Sequence, residues 1–101
     1  MARYRMDDGT VVDTDNATRH YEEKQYHDGS NFISKATGDQ WQHQDLYRSR
    51  KGRYYLETCP RINGQQAHAE WVSKQEAARW LTLNEHEIPE ELKEVVEAVT
   101  E

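Results

Sequence analysis

The sequence predicts an α+β fold, an antiparallel β-meander of about five to six short strands followed by two C-terminal amphipathic helices packed on one face. Three observations lead there. Up to Val72, apolar and polar residues alternate in short runs separated by turn signals such as Asp8-Gly9, Asp28-Gly29, Thr37-Gly38-Asp39 and Asn63-Gly64. After Ser73 the apolar period becomes helical. Only 35% of the 101 residues are hydrophobic and 32% are charged, yet three Trp, six Tyr and one Phe are present. Disordered chains are poor in aromatics, and large rings build a core where aliphatic residues are scarce. The chain therefore reads as a single domain over 1–101, with the sheet in 3–72 and the helices at about 74–84 and 89–99.

Arg3-Tyr4-Arg5-Met6 and Thr10-Val11-Val12 flank Asp8-Gly9 as a short hairpin. Asp13 to Thr18 is turn-like. Arg19 to His27 fits a helix capped by Asp15 or Asn16, but the alternation around Tyr21, Glu23 and Gln25 favours a strand. Asn31 to Ser34 returns from it across Asp28-Gly29. Trp41 to Leu56 is the central hairpin, broken by Arg48-Ser49-Arg50-Lys51-Gly52, and its second arm ends at Pro60. Ala67 to Val72 is a last strand with Ala67, Ala69 and Trp71 on one face.

Ser73-Lys74-Gln75-Glu76 matches a capping box, and Ala77, Ala78, Trp80 and Leu81 make the stripe of the first helix. Asn84 is expected to end it in the left-handed conformation. Pro89 opens the second helix with Glu90 and Glu91 in its first turn, and Ile88, Leu92, Val95, Val96 and Val99 form its apolar stripe.

The net charge of -6 is unevenly spread. Residues 41–61 carry five basic side chains against two acidic, whereas 62–101 carry three against nine. A net negative field does not steer a protein to nucleic acid, although a local basic tip still meets phosphate. The single Cys59 forms no internal disulfide. No apolar run reaches the length of a signal or membrane segment, so a cytoplasmic chain without membrane contact is expected.

The concentrated positive charge is Arg48, Arg50, Lys51 and Arg53, beside Tyr47 and Tyr55, with Trp41 and His43 on the same strand as Tyr47. Cations interleaved with aromatics suit phosphate contact and base stacking. The bland alternative is that the aromatics face the core and the charged tip keeps the hairpin soluble. The second helix exposes glutamates and would repel phosphate, which excludes a DNA-recognition helix. The five His and one Cys show no metal-ligand spacing, and no cofactor motif is present. Cys59 with His43 or His68 is the sole nucleophile arrangement to weigh, against the commoner role of a small buried hydrophobe.

The runs DGSNFISKATGDQWQHQDLYRSRKGRYY and EWVSKQEAARWL, with the following IPEEL, resemble small uncharacterised bacterial proteins of the kind carried on mobile elements. The resemblance spans about two thirds of the chain and implies no activity. The expected function is a small non-enzymatic binding or regulatory module that engages a protein partner, or a second copy, through charge-segregated surfaces. The alternative is a nucleic-acid binder using the basic tip.

Overall fold

The computed structural model describes residues 3–38, 41–60 and 66–99. In chain order these form β1 (Arg3–Arg5), β2 (Val11–Asp13), a 3-10 turn (Thr14–Asn16), β3 (Arg19–Glu22), β4 (Gln25–His27), β5 (Phe32–Ser34), β6 (Gln42–Arg48), β7 (Tyr54–Pro60), β8 (His68–Val72), α1 (Lys74–Leu83) and α2 (Glu90–Val99). The fold is mixed, with antiparallel sheets preceding two helices. It departs from a simple meander of five to six strands. The described residues hold eight strands in three sheets: β1–β2, a central sheet in the order β3-β6-β7-β8, and β4–β5. The turn signal at Asn63-Gly64 and the end of that at Asp39 lie outside the described residues.

The break that separates these sheets falls inside the Arg19–His27 segment. It is extended, as its alternation favours, but in two pieces. β3 pairs with β6 from Arg19↔Arg48 to Glu22↔Asp45, whereas β4 leaves the sheet to pair with β5. At the corner, Lys24 N–H donates to Asn84 Oδ1 at 2.8 Å and Lys35 N–H donates to the Lys24 carbonyl at 2.9 Å. The β4–β5 pair thus projects as an arm between two strands that are neighbours in the central sheet.

β6 and β7 run in register from Gln42↔Pro60 to Arg48↔Tyr54. Their turn is closed by Ser49 N–H to Arg53 O at 2.7 Å and Gly52 N–H to Ser49 O at 3.0 Å. Gly52 has φ +87, a left-handed conformation that strains any other residue, so the position favours glycine.

The pleat sorts side chains to two faces. One face carries Tyr21, Leu46, Tyr54, Leu56 and Val72 against Ala77, Ala78, Trp80 and Leu81 of α1. α2 packs chiefly against α1 and not, like α1, directly on the sheet. Its Leu92 and Val96, with Ile88 just before it, complete this core, and the Val99 side chain is outside the described part. The opposite face carries Tyr47, Tyr55, Ala69 and Trp71, roofed by Tyr4, Met6 and Val12 of the first hairpin. The first hairpin is therefore a lid on the sheet, not its first two strands. Both faces of the central sheet carry large apolar side chains, so each needs a cover, the helices on one side and the first hairpin on the other.

The capping box forms as its spacing predicts: Glu76 N–H donates to Ser73 Oγ at 3.1 Å, and Ser73 N–H donates to Glu76 Oε1 at 3.3 Å. The other end differs. Asn84 sits at φ -95, and the left-handed residue is Glu85 at φ +63. Asn84 is held instead by its own side chain, which donates to Trp80 O at 2.8 Å while accepting from Lys24.

Trp80 is buried, and its indole N–H donates to Gln44 Oε1 at 3.2 Å. Trp80→Ala should lower the unfolding free energy by about 3–5 kcal/mol in urea melts. Leu83→Ala, at a side chain 49% exposed on the same helix, should stay within about 0.5 kcal/mol.

Candidate functional site

On the lidded face, alternation lines up chemistry in rows. His20, Tyr47, Tyr55 and Trp71 are successive cross-strand partners. Their rings stack at 4.5 Å (His20–Tyr47) and 5.3 Å (Tyr47–Tyr55), then meet edge-on at 5.8 Å (Tyr55–Trp71). Two residues along, Glu22, Asp45 and Glu57 form an acidic row, and beyond it His43 pairs with Cys59. Carboxylates directly opposite one another repel. Glu57 is buried and accepts from the Tyr4 hydroxyl at 2.5 Å. Burial, with Glu57, Glu23 and Glu22 nearby, pushes the Asp45 carboxyl up to about 6, even though His20 Nε2 lies 3.7 Å away and opposes the shift.

The His43–Cys59 pair has the composition of a nucleophile with its base, and Glu23 Oε2 lies 2.6 Å from His43 Nδ1 in the orienting position. The electrostatics are wrong for that chemistry. Burial and the hydrogen-bonded Glu57, with Asp45 and Glu23 beyond, push the Cys59 thiol up to about 11. A reactive cysteine needs a positive microenvironment, and this one is negative. Among the described residues no group of His, Cys, Asp and Glu is arranged to hold a metal ion.

Glu23 is the residue that pattern reading missed. Its side chain is 5% exposed. Oε1 accepts from Ser34 Oγ at 2.8 Å and Gln44 N–H at 2.5 Å, while Oε2 faces His43 and accepts from Gln25 Nε2 at 2.9 Å. Burial raises its pKa, but these donors outweigh burial and hold it below the usual carboxylate range. Nothing in the sequence distinguishes Glu23 from Glu22.

The structure separates the four cations of the tip. Arg48 donates to Thr18 Oγ1 at 2.9 Å, and its Nε lies 3.0 Å from Glu91 Oε1 without the alignment of a hydrogen bond. Arg53 pairs with Asp8 at 3.1 Å and lies 3.8 Å over the Trp71 ring. Arg50 and Lys51 are exposed and carry no ion pair among the described residues. Of the associated aromatics, Tyr47, Tyr55 and His43 are buried in the sheet, and Trp41, just before β6, is 49% exposed. A nucleic-acid surface would have to work with two cations and one exposed ring.

Further exposed rings lie at the other end of β6. On the arm, Phe32 is 62% and Tyr26 is 46% exposed, with Phe32 edge-on to His27 at 5.0 Å. The arm's turn is ordered, since Asp28 Oδ1 accepts from Ser30 and Asn31 N–H at 2.9 and 2.8 Å. Gln25 Nε2 at 3.2 Å from His43 Nδ1, and Thr37 Oγ1 donating to Gln42 O at 2.8 Å, tie the arm's root to the start of β6, next to Trp41.

Two clefts complete the surface. One of about 990 Å³ runs between β3, β6 and the α1–α2 connection, where Arg19 and Arg48 face Glu87, Glu90 and Glu91. The other, of about 650 Å³, lies between the first hairpin and the β6–β7 turn. No helix is long and apolar enough to cross a membrane, among the described residues. Comparison with known proteins finds no matching family model, curated protein or solved structure.

Two outcomes follow. With Arg48 and Arg53 engaged internally, short single- or double-stranded DNA and RNA should show no saturable binding in fluorescence anisotropy, even at low salt, where phosphate contacts are strongest. The raised Asp45 pKa means that folding penalises its ionised form, so its contribution favours the fold in acid and is lost as pH rises toward about 6. Asp8, Asp13, Glu23 and Asp28 have lowered values and act in the opposite sense, but they are common to any Asp45 variant. Asp45→Asn should therefore be more stable than the parent at pH 7, with the difference in melting temperature vanishing toward about pH 4.

Proposed function

We propose that the chain is a small non-enzymatic binding module that engages a protein partner, with the β4–β5 arm as its principal contact. The observation that carries this is the exposure of Phe32 and Tyr26 on an ordered hairpin, close in the chain to exposed Trp41. The register puts Phe32 beside His27 on one face of the arm and Tyr26 beside Ile33 on the other. Both faces thus leave a ring in water, and large exposed rings mark an interaction surface. Aromatics at the centre with polar groups around them is the composition of a protein interface. Here His27, Asp28 and Asn31 supply the polar surround.

Charge segregation adds a second element to this reading. α2 turns Glu90, Glu94 and Glu97 to solvent, and Lys93 is held by Glu90 at 3.2 Å. An exposed acidic helix face favours a partner with basic surface and speeds its encounter. The non-enzymatic part of the proposal rests on the Cys59 thiol, which its acidic surroundings keep protonated.

A photo-crosslinking residue placed at Phe32 tests the proposal against one placed at Thr82, on an exposed helical position. The expected result is one dominant, nuclease-resistant protein adduct at position 32, absent at position 82 and lost when Tyr26→Ser is added. Tyr26→Ser should leave the melting temperature unchanged, because its ring is exposed. Equal adducts at both positions, or an adduct indifferent to Tyr26, would refute the arm as the contact.

A further inference from the structure

The 650 Å³ cleft lies at the opposite end of β6 from the arm, and a protein-binding arm leaves it unexplained. Its size is that of a small-molecule site. Val11, Val12, Tyr55 and Trp71 supply apolar walls, and Arg50 and Lys51 line it as well. Asp13 is also there, but its carboxylate is already compensated by Arg3 Nε at 3.2 Å and Asp15 N–H at 3.0 Å. Arg53 is compensated by Asp8. Arg50 and Lys51 are thus the cleft's unbalanced charges.

A second, independent feature points the same way. Tyr55 is 0% exposed, and its hydroxyl has no hydrogen-bond partner. Buried hydroxyls are almost always bonded, so an orphan one calls for an explanation. Trp71 Nε1 is also buried, but it is directed at the Asp8 carboxylate, whose pKa it helps to lower, so it is not a second orphan. A donor without an acceptor, in a cleft that two unpaired cations also line, describes one half of an anion site.

We propose that this cleft binds a small organic anion, its carboxylate or phosphate group held by Arg50, Lys51 and the Tyr55 hydroxyl and its apolar body laid against Val11, Val12 and Trp71. The hydroxyl is closed to water although Tyr55 lines the cleft.

Titration of the isotope-labelled full chain by amide NMR tests this with phenyl phosphate, phenylacetate and, as a neutral control, benzyl alcohol. The expected result is saturable shifts at the Gly52 and Arg53 amides and the Trp71 indole N–H with an anion and none with the alcohol. The tighter of the two anions identifies the head group. Tyr55→Phe should weaken binding about tenfold, as loss of a hydrogen bond to a charged group does. It should melt no earlier than the parent, because the hydroxyl it removes has no partner. Arg50→Ser with Lys51→Ser should abolish saturation. The proposal fails if neither anion saturates, if the shifts map elsewhere, or if Tyr55→Phe binds as the parent does, which would reduce the site to surface charge. Early melting of Tyr55→Phe would also overturn it, by showing that the hydroxyl is already satisfied within the fold.

Discussion

The arrangement of this chain depends on one buried carboxylate. Glu23 stands where β3 ends and β4 turns away, and its two oxygens take up partners from β4, β5 and β6. An ion taken from water is costly unless its surroundings replace the lost hydration. Four donors do so here, and because they come from three strands they also fix the angle at which the arm leaves the sheet. The neighbouring Lys24 amide carries the same junction to Asn84 at the end of α1. The corner therefore couples the arm, the central sheet and the helical layer through hydrogen bonds, with little apolar contact.

The same scarcity of apolar residues shapes the rest. Two thin cores sit on opposite faces of one four-stranded sheet, each weighted toward rings. On the lidded face, the acids that alternation directs inward face one another across strands, and Tyr4 and the Cys59 thiol satisfy the most buried of them. On the surface, opposite charges from distant segments neutralise most of the central hairpin's cations, as in Arg48 with Glu91 and Arg53 with Asp8. What remains unpaired is limited: the arm's rings, the acidic side of α2, and the two cations beside an orphan hydroxyl.

Local rules predicted whatever was locally determined. Ser73 and Glu76 are three residues apart, and the box they form needs nothing beyond the helix they start. The Asp28-Gly29 turn and the two helical stripes are legible for the same reason. The break at Glu23 was not, because alternation runs unbroken through it and the cause lies in donors at Ser34, His43 and Gln44. Asn84 was read as a conformational choice, whereas its role is to bond a backbone amide sixty residues earlier. The basic tip shows the same divide. Its sequence displays four cations in six residues, and only the fold shows that Thr18, Glu91 and Asp8 arrive to engage two of them. Tyr47, Tyr55 and His43 alternate just as a binding face would, but a lid formed by residues 3–13 covers the two tyrosines, and Glu23 and Gln25 at the arm's root engage His43.

The arm is an excursion between two strands that pair with each other regardless of it. β3 and β6 keep their register through Arg19↔Arg48 and its neighbours, and among the described residues the arm's side-chain bonds to the body come from its root, at Gln25, Ser34, Lys35 and Thr37. Among the described residues, 26–32 make hydrogen bonds within the arm and none to the body. Substitutions, or even a longer tip, can accumulate there without disturbing the sheet. The tip's sequence can therefore drift while the scaffold stays constant, in the way a loop varies on an unchanging frame.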